Sequence, residues 1–176
     1  MLYIDESWIF EEDDRLETIY KNRFDSYIKR ITPDHRRKEF TSGLNRINRM
    51  HIWSASFLSI NPKPGDICFI DFGQAFINEA GYQHFGLVIS ESNFKLFVVP
   101  MTSNKETVQK SQEDKTDHLH YIGQIKGLHR PSVLFLNDSK YINSSRVISI
   151  NAHINTKSKV FLKIKERLKE TIFGDI

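Results

Sequence analysis

His84 opens the apolar run Phe85-Gly86-Leu87-Val88-Ile89-Ser90, and Thr102-Ser103 close the next run, Val98-Val99-Pro100-Met101. An imidazole changes charge near neutral pH, so beside a hydroxyl it can move protons on a bound substrate. The two groups meet if the runs pair as an antiparallel hairpin about Glu91-Ser92-Asn93, because they then lie at comparable distances from the turn. Residues 73–83, with Phe76, Glu79, Tyr82 and Gln83 among them, lead into the same open end and line a cleft there. Apolar strands carrying a polar, titratable loop between them are a common way for a scaffold to hold chemistry in place.

The elements that must position these groups fall into two regions. Asn61-Pro62-Lys63-Pro64-Gly65 denies helix continuation and forms the joint, giving a helical N-terminal extension over 1–60 and a second domain over 61–176. Before the joint, Leu16, Ile19, Tyr20, Phe24, Tyr27, Ile28 and Ile31 recur at helical steps behind Asp13 and Asp14, and Thr32-Pro33 ends the run. Phe40, Leu44 and Ile47, continued by Trp53 and Phe57, predict a second helix whose start Ser42-Gly43 weakens. After the joint, short apolar runs predict strands at 66–72, 84–90, 94–100, 119–123, 132–137 and 146–150. That is an α+β chain built on a small, strongly curled sheet or barrel. Residues 103–117 show no apolar period and read as a long surface loop. A final helix follows Thr156 as its cap, burying Val160, Phe161, Ile164, Leu168 and Ile172 and ending before Gly174.

Composition bounds the function. With 176 residues, 39% hydrophobic and 27% charged, the chain is that of a globular protein with one good core. No apolar run approaches the ~18–20 residues that span a bilayer, and Met1–Phe10 lacks the basic start of a signal peptide, so a cytoplasmic protein that avoids the membrane is expected. Cys68 is the single cysteine, flanked by Ile67 and Phe69, and reads as a core residue. Seven acids in residues 1–17 stand against Arg15 alone, whereas 18–60 hold nine Lys or Arg against three acids. That contrast suits a polyanion partner or an internal stand-in for one over 5–17, and equally suits solvated helix faces.

Pro64-Gly65-Asp66-Ile67, Asp71-Phe72, Glu79 and Gly81, Leu87-Val88-Ile89-Ser90 and Val98-Val99-Pro100-Met101-Thr102-Ser103 follow one another in an order that resembles the PemK/MazF family of toxin endoribonucleases. Ser132-Val133-Leu134-Phe135-Leu136, Ile142, Arg146 and a terminal helix over 157–172 continue the likeness, which covers roughly 62–172 and leaves 1–60 outside it. The resemblance implies an SH3-like barrel with a C-terminal helix, and a metal-independent, cofactor-free cleavage of single-stranded RNA. It also implies a homodimer and an antitoxin protein as partner. On it, His84 transfers the proton and Thr102 hydrogen-bonds the phosphate or nucleophile, with Ser103 as its substitute. Glu79 orients the loop or serves as partner base, and Phe76 and Tyr82 stack on unpaired bases, with Gln83, Asn104 and Lys140 as further RNA contacts. One departure stands out: where the family carries arginine then proline, this chain has His84 and Phe85. Imidazole can exchange a proton but lacks the permanent charge and five donors of guanidinium. A non-catalytic binding module on the same barrel, for nucleic acid or protein, is the alternative. A metal site at His118-x-His120 is a third option, without a further ligand at a recognised spacing.

Overall fold

The computed structural model describes residues 6–113 and 116–174. Chain contacts group the residues up to Phe40 as one compact unit and those from Thr41 as a second. The Asn61–Gly65 joint is where helix gives way to strand, while 41–60 belong with the sheet by contact.

In the first unit, α1 (Asp13–Arg30) begins at the predicted acids and stops at Ile31. Thr32 Oγ1 accepts the His35 N–H at 3.3 Å, and Pro33 takes the first position of α2 (Pro33–Arg49), where a missing N–H costs nothing. Helix α2 thus starts earlier than Ser42-Gly43 suggested and runs through Gly43. Its orientation is the larger surprise. Ser42 is buried, while Leu44 and Ile47 are each 60% exposed, so the apolar stripe that predicts the helix is not its packed side.

The second unit is an antiparallel sheet of β1 (Asp66–Asp71), β2 (Gln83–Ser92), β3 (Lys95–Thr102), β4 (Leu119–Gly123), β5 (Ser132–Phe135), β6 (Lys140–Asn143) and β7 (Val147–His153). The order is β4-β5-β3-β2-β1-β7, with β6 also on β3. The outer edge of β3 is shared: β6 pairs with Lys95–Val98 and β5 with Met101–Thr102. Among the described strands the ends do not meet, so the sheet curls without closing into the expected barrel. Strand β6 is an element the sequence did not reveal, being four residues of alternating exposure with little apolar content.

Alternation along β1, β2 and β3 feeds two cores, one per face. Ile67, Leu87, Val99 and Met101 pack with Leu134 and with Phe161, Ile164 and Leu168 of α4 (Lys159–Phe173). Cys68, Ile70 and Val88 pack with Val98, Ile142 and Val147 on the other face, with Ile60 against them. Helix α4 buries the predicted Phe161, Ile164 and Leu168 but leaves Val160 and Ile172 exposed. Its cap is Ser158, whose hydroxyl accepts the Phe161 N–H at 3.2 Å, and not Thr156. The expected 103–117 loop contains α3 (Lys105–Gln112), which has no buried residue and therefore shows no apolar period.

Candidate functional site

Strands β2 and β3 pair with Phe85 opposite Met101, Gly86 opposite Pro100, Leu87 opposite Val99 and Val88 opposite Val98. The same register carried one step further sets His84 opposite Thr102, on the face that also carries Ile70, the β1 partner of His84. Directly opposed residues have Cβ atoms about 4.5–5.5 Å apart and side chains on one face. The imidazole and the hydroxyl therefore share the open end of the hairpin, where His84 is exposed and Thr102 and Ser103 half-buried. Thr102 Oγ1 accepts the Asn104 N–H at 3.1 Å. With the oxygen held that way, the hydroxyl hydrogen can be given to an incoming oxygen.

The loop 73–82 is tied at its base and exposed at its tip. Phe72 N–H donates to Tyr82 O at 2.7 Å and Tyr82 N–H to Gly73 O at 2.6 Å. Tyr82 sits at φ 56°, a left-handed conformation that bulky residues seldom adopt and that clusters at functional sites. Glu79 Oε2 accepts the Phe76 N–H at 3.3 Å, so its carboxylate shapes the loop. Phe76, 85% exposed, stands at the tip beside Ile77.

Lys140 joins this end through an acid. Its Nζ lies 2.6 Å from Asp138 Oδ1, and the other oxygen of Asp138 accepts the Ala80 N–H. Two other sequence candidates have work elsewhere. Gln83 alternates to the face opposite His84, where its Nε2 donates to Asp71 Oδ2 at 3.1 Å. Asn104 caps α3, its Oδ1 accepting from the Glu106 and Thr107 N–H groups at 2.9 and 3.2 Å.

The anchor beneath the loop went unread in the sequence. Asp71 is buried, and its two oxygens accept from Ser42 Oγ at 2.8 Å, Asn45 Nδ2 at 2.8 Å, Gly73 N–H at 3.0 Å and Gln83 Nε2. A buried carboxylate needs such donors. Arg146 Nη1 donates to Phe72 O at 2.8 Å and lies so close under Gly73 that a Cβ there would stand 3.0 Å from it. A carboxylate ending an apolar run was the one available signal for Asp71; nothing marked Ser42 or Asn45 as its partners.

Elsewhere, burial pushes the Cys68 thiol up to about 12, with the Asp66 charge adding to it, so this is a packing residue and no nucleophile. His120 is held below the ordinary imidazole range by burial, then by the charges of Lys163 and Arg167. Among the described residues no group of three metal-ligating side chains comes together, His118 and His120 included. No described helix is long and apolar enough to cross a membrane.

No protein-family model matches the sequence, and no curated protein matches it either. Solved structures do. One is described as an endoribonuclease in complex with its cognate antitoxin from mycobacterial species: TM-score 0.48, 11% identity, covering 66% of this chain and 99% of that one. MazF from Deinococcus radiodurans is similar at TM-score 0.48 and 15% identity over 63% of this chain and 96% of its own. The Mycobacterium tuberculosis toxin MazF-mt6 is similar at 0.46 and 11% over 63% and 99%.

Proposed function

We propose that this chain is a toxin-type endoribonuclease that cuts single-stranded RNA by attack of the 2′-hydroxyl on the adjacent phosphorus. The observation that carries the reading is the β2–β3 register, which puts an exposed imidazole and an oriented hydroxyl at the same open end of one hairpin. RNA brings its own nucleophile, so the protein has only to handle protons and charge. His84 takes the 2′-hydroxyl proton as the oxygen bonds to phosphorus. The phosphorus–5′-oxygen bond breaks, the departing oxygen takes a proton from water, whose hydroxide is neutralised by the proton held on His84, and the products are a 2′,3′-cyclic phosphate and a 5′-hydroxyl. Thr102 donates to a non-bridging oxygen as charge builds there, and Ser103 is the neighbouring substitute. Glu79 keeps the loop in shape, Phe76 and Tyr82 offer rings to unpaired bases, and Lys140 supplies a cation near the phosphates. This chemistry needs no metal. The proposal includes, on the sequence resemblance, a homodimer acting in the cytoplasm and held in check by an antitoxin.

Incubation of the full chain with labelled single-stranded RNA in chelator tests it. Discrete fragments ending in cyclic phosphate are expected, and His84→Ala should lower the rate at least about 10²-fold with the thermal midpoint nearly unchanged. Full activity in that variant removes His84 from the mechanism. A salt-sensitive mobility shift without fragments would instead establish the non-catalytic binder.

A further inference from the structure

At the other end of the β2–β3 hairpin, roughly 23 Å along β3 from Thr102 at ~3.3 Å per residue, lies a second concentration of chemistry. A cleft of about 520 Å³ is lined by His51, Trp53, Asn93, Phe94, Lys95 and Asn143 among others, none of them acidic. Trp53 is 71% and Phe94 50% exposed. Their centroids are 6.5 Å apart with the planes at 87°, so flat ring surface stays open to solvent. Asn143 fixes the Trp53 backbone, donating from Nδ2 to its carbonyl at 3.1 Å while Oδ1 accepts the Ser145 N–H at 2.8 Å.

The turn that presents Phe94 is itself unusual. Asn93 and Phe94 have φ of 45° and 65°, a two-residue hairpin turn whose second position favours glycine. A phenyl ring held there against its backbone preference is local strain of the kind that clusters at functional sites. Next along the sheet, Lys95 opposes Asn143 and Phe97 opposes Tyr141, whose rings pack at 5.0 Å. Rings therefore alternate with a cation and an amide along one face.

We infer that this cleft is a second subsite for single-stranded RNA, gripping an unpaired nucleotide remote from the cleavage site; the choice of RNA rests on the nuclease proposal. Rings stack on bases whatever their identity, Lys95 answers phosphate charge, His51 offers a ring N–H, and Asn93 offers both a donor and an acceptor to a base edge. A hydrophobic peptide would bury those polar groups without partners.

The test uses the full chain and a fluorescent 2′-O-methyl oligouridylate of about 12 nucleotides, long enough to occupy both sites yet lacking the attacking hydroxyl. Trp53→Ala and Phe94→Gly should each weaken binding about 5- to 100-fold, and Lys95→Ala should reduce the salt slope by about one. Glycine suits the positive φ at 94, so that variant keeps its fold while losing the ring. Unchanged affinity in both folded ring variants overturns the inference. So does ring-dependent binding of a poly(Glu,Tyr) peptide without RNA binding, which would assign the cleft to a protein. Ring-dependent RNA binding by a chain that cleaves nothing would fail the nuclease proposal alone. Cleavage of RNA together with unaffected ring variants would fail this inference alone.

Discussion

His84 and Thr102 divide the chemistry as their side chains dictate: one exchanges protons near neutral pH, the other donates a hydrogen bond that sharpens as charge develops. Without an arginine at the start of β2, permanent positive charge must come from elsewhere. Two cations described above stand at the loop: Arg146, which donates to the Phe72 carbonyl beneath Gly73, and Lys140, partly neutralised by Asp138. His120 shows how burial sets another imidazole's charge. With its folded pKa depressed below 6.5, the unfolded chain takes up a proton first as pH falls. Above about pH 6.5 this group contributes no penalty. Between there and its lower folded value the stability falls with pH, and below that value the loss is complete. Urea midpoints at pH 7.5 and 5.5 should differ less in His120→Asn than in the wild type; equal differences would show that another group carries the slope.

At the scale of elements, the loop 73–82 is only as well placed as the strand end beneath it. Asp71 gathers donors from α2, β2 and the loop itself, so removing it leaves the buried Ser42 hydroxyl and three half-buried donors without their acceptor. Asp71→Ala should cost about 2–4 kcal/mol in chemical unfolding. Asn45→Ala, which removes one partner, should cost about 1 kcal/mol. A near-neutral Asp71→Ala would mean that water replaces the carboxylate and that the loop is anchored by Arg146 alone.

On the scale of the molecule, residues 41–60 behave as part of the sheet although the sequence places them in a helical extension. Arg49 donates to the carbonyls of Ser145 and Val147 at 2.7 and 2.8 Å, and the Ala55 N–H donates to Ser144 Oγ at 3.0 Å. A chain beginning at Thr41 should therefore unfold cooperatively near the wild-type midpoint, whereas one beginning at Asn61 should melt about 10 °C lower or fail to fold. Equal midpoints would restore the joint as the structural boundary. The acidic stretch proposed as an RNA stand-in starts with Asp5, which lies outside the described residues; the same Thr41 chain should cleave RNA faster if that stretch guards the cleft.

What the sequence settled by itself was local: short apolar runs between polar turns located six of the seven strands, helical spacing located α1 and α4, and hairpin symmetry brought residues 84 and 102 to one end. These follow from period and pairing, which neighbouring residues determine. Tertiary structure alone decided which side of α2 is packed, that Ser42 and Asn45 serve Asp71, that the sheet stays open, and that Trp53 meets Phe94. Each depends on where distant segments cross, and a periodic stripe says that a helix has two faces without saying which one finds a partner.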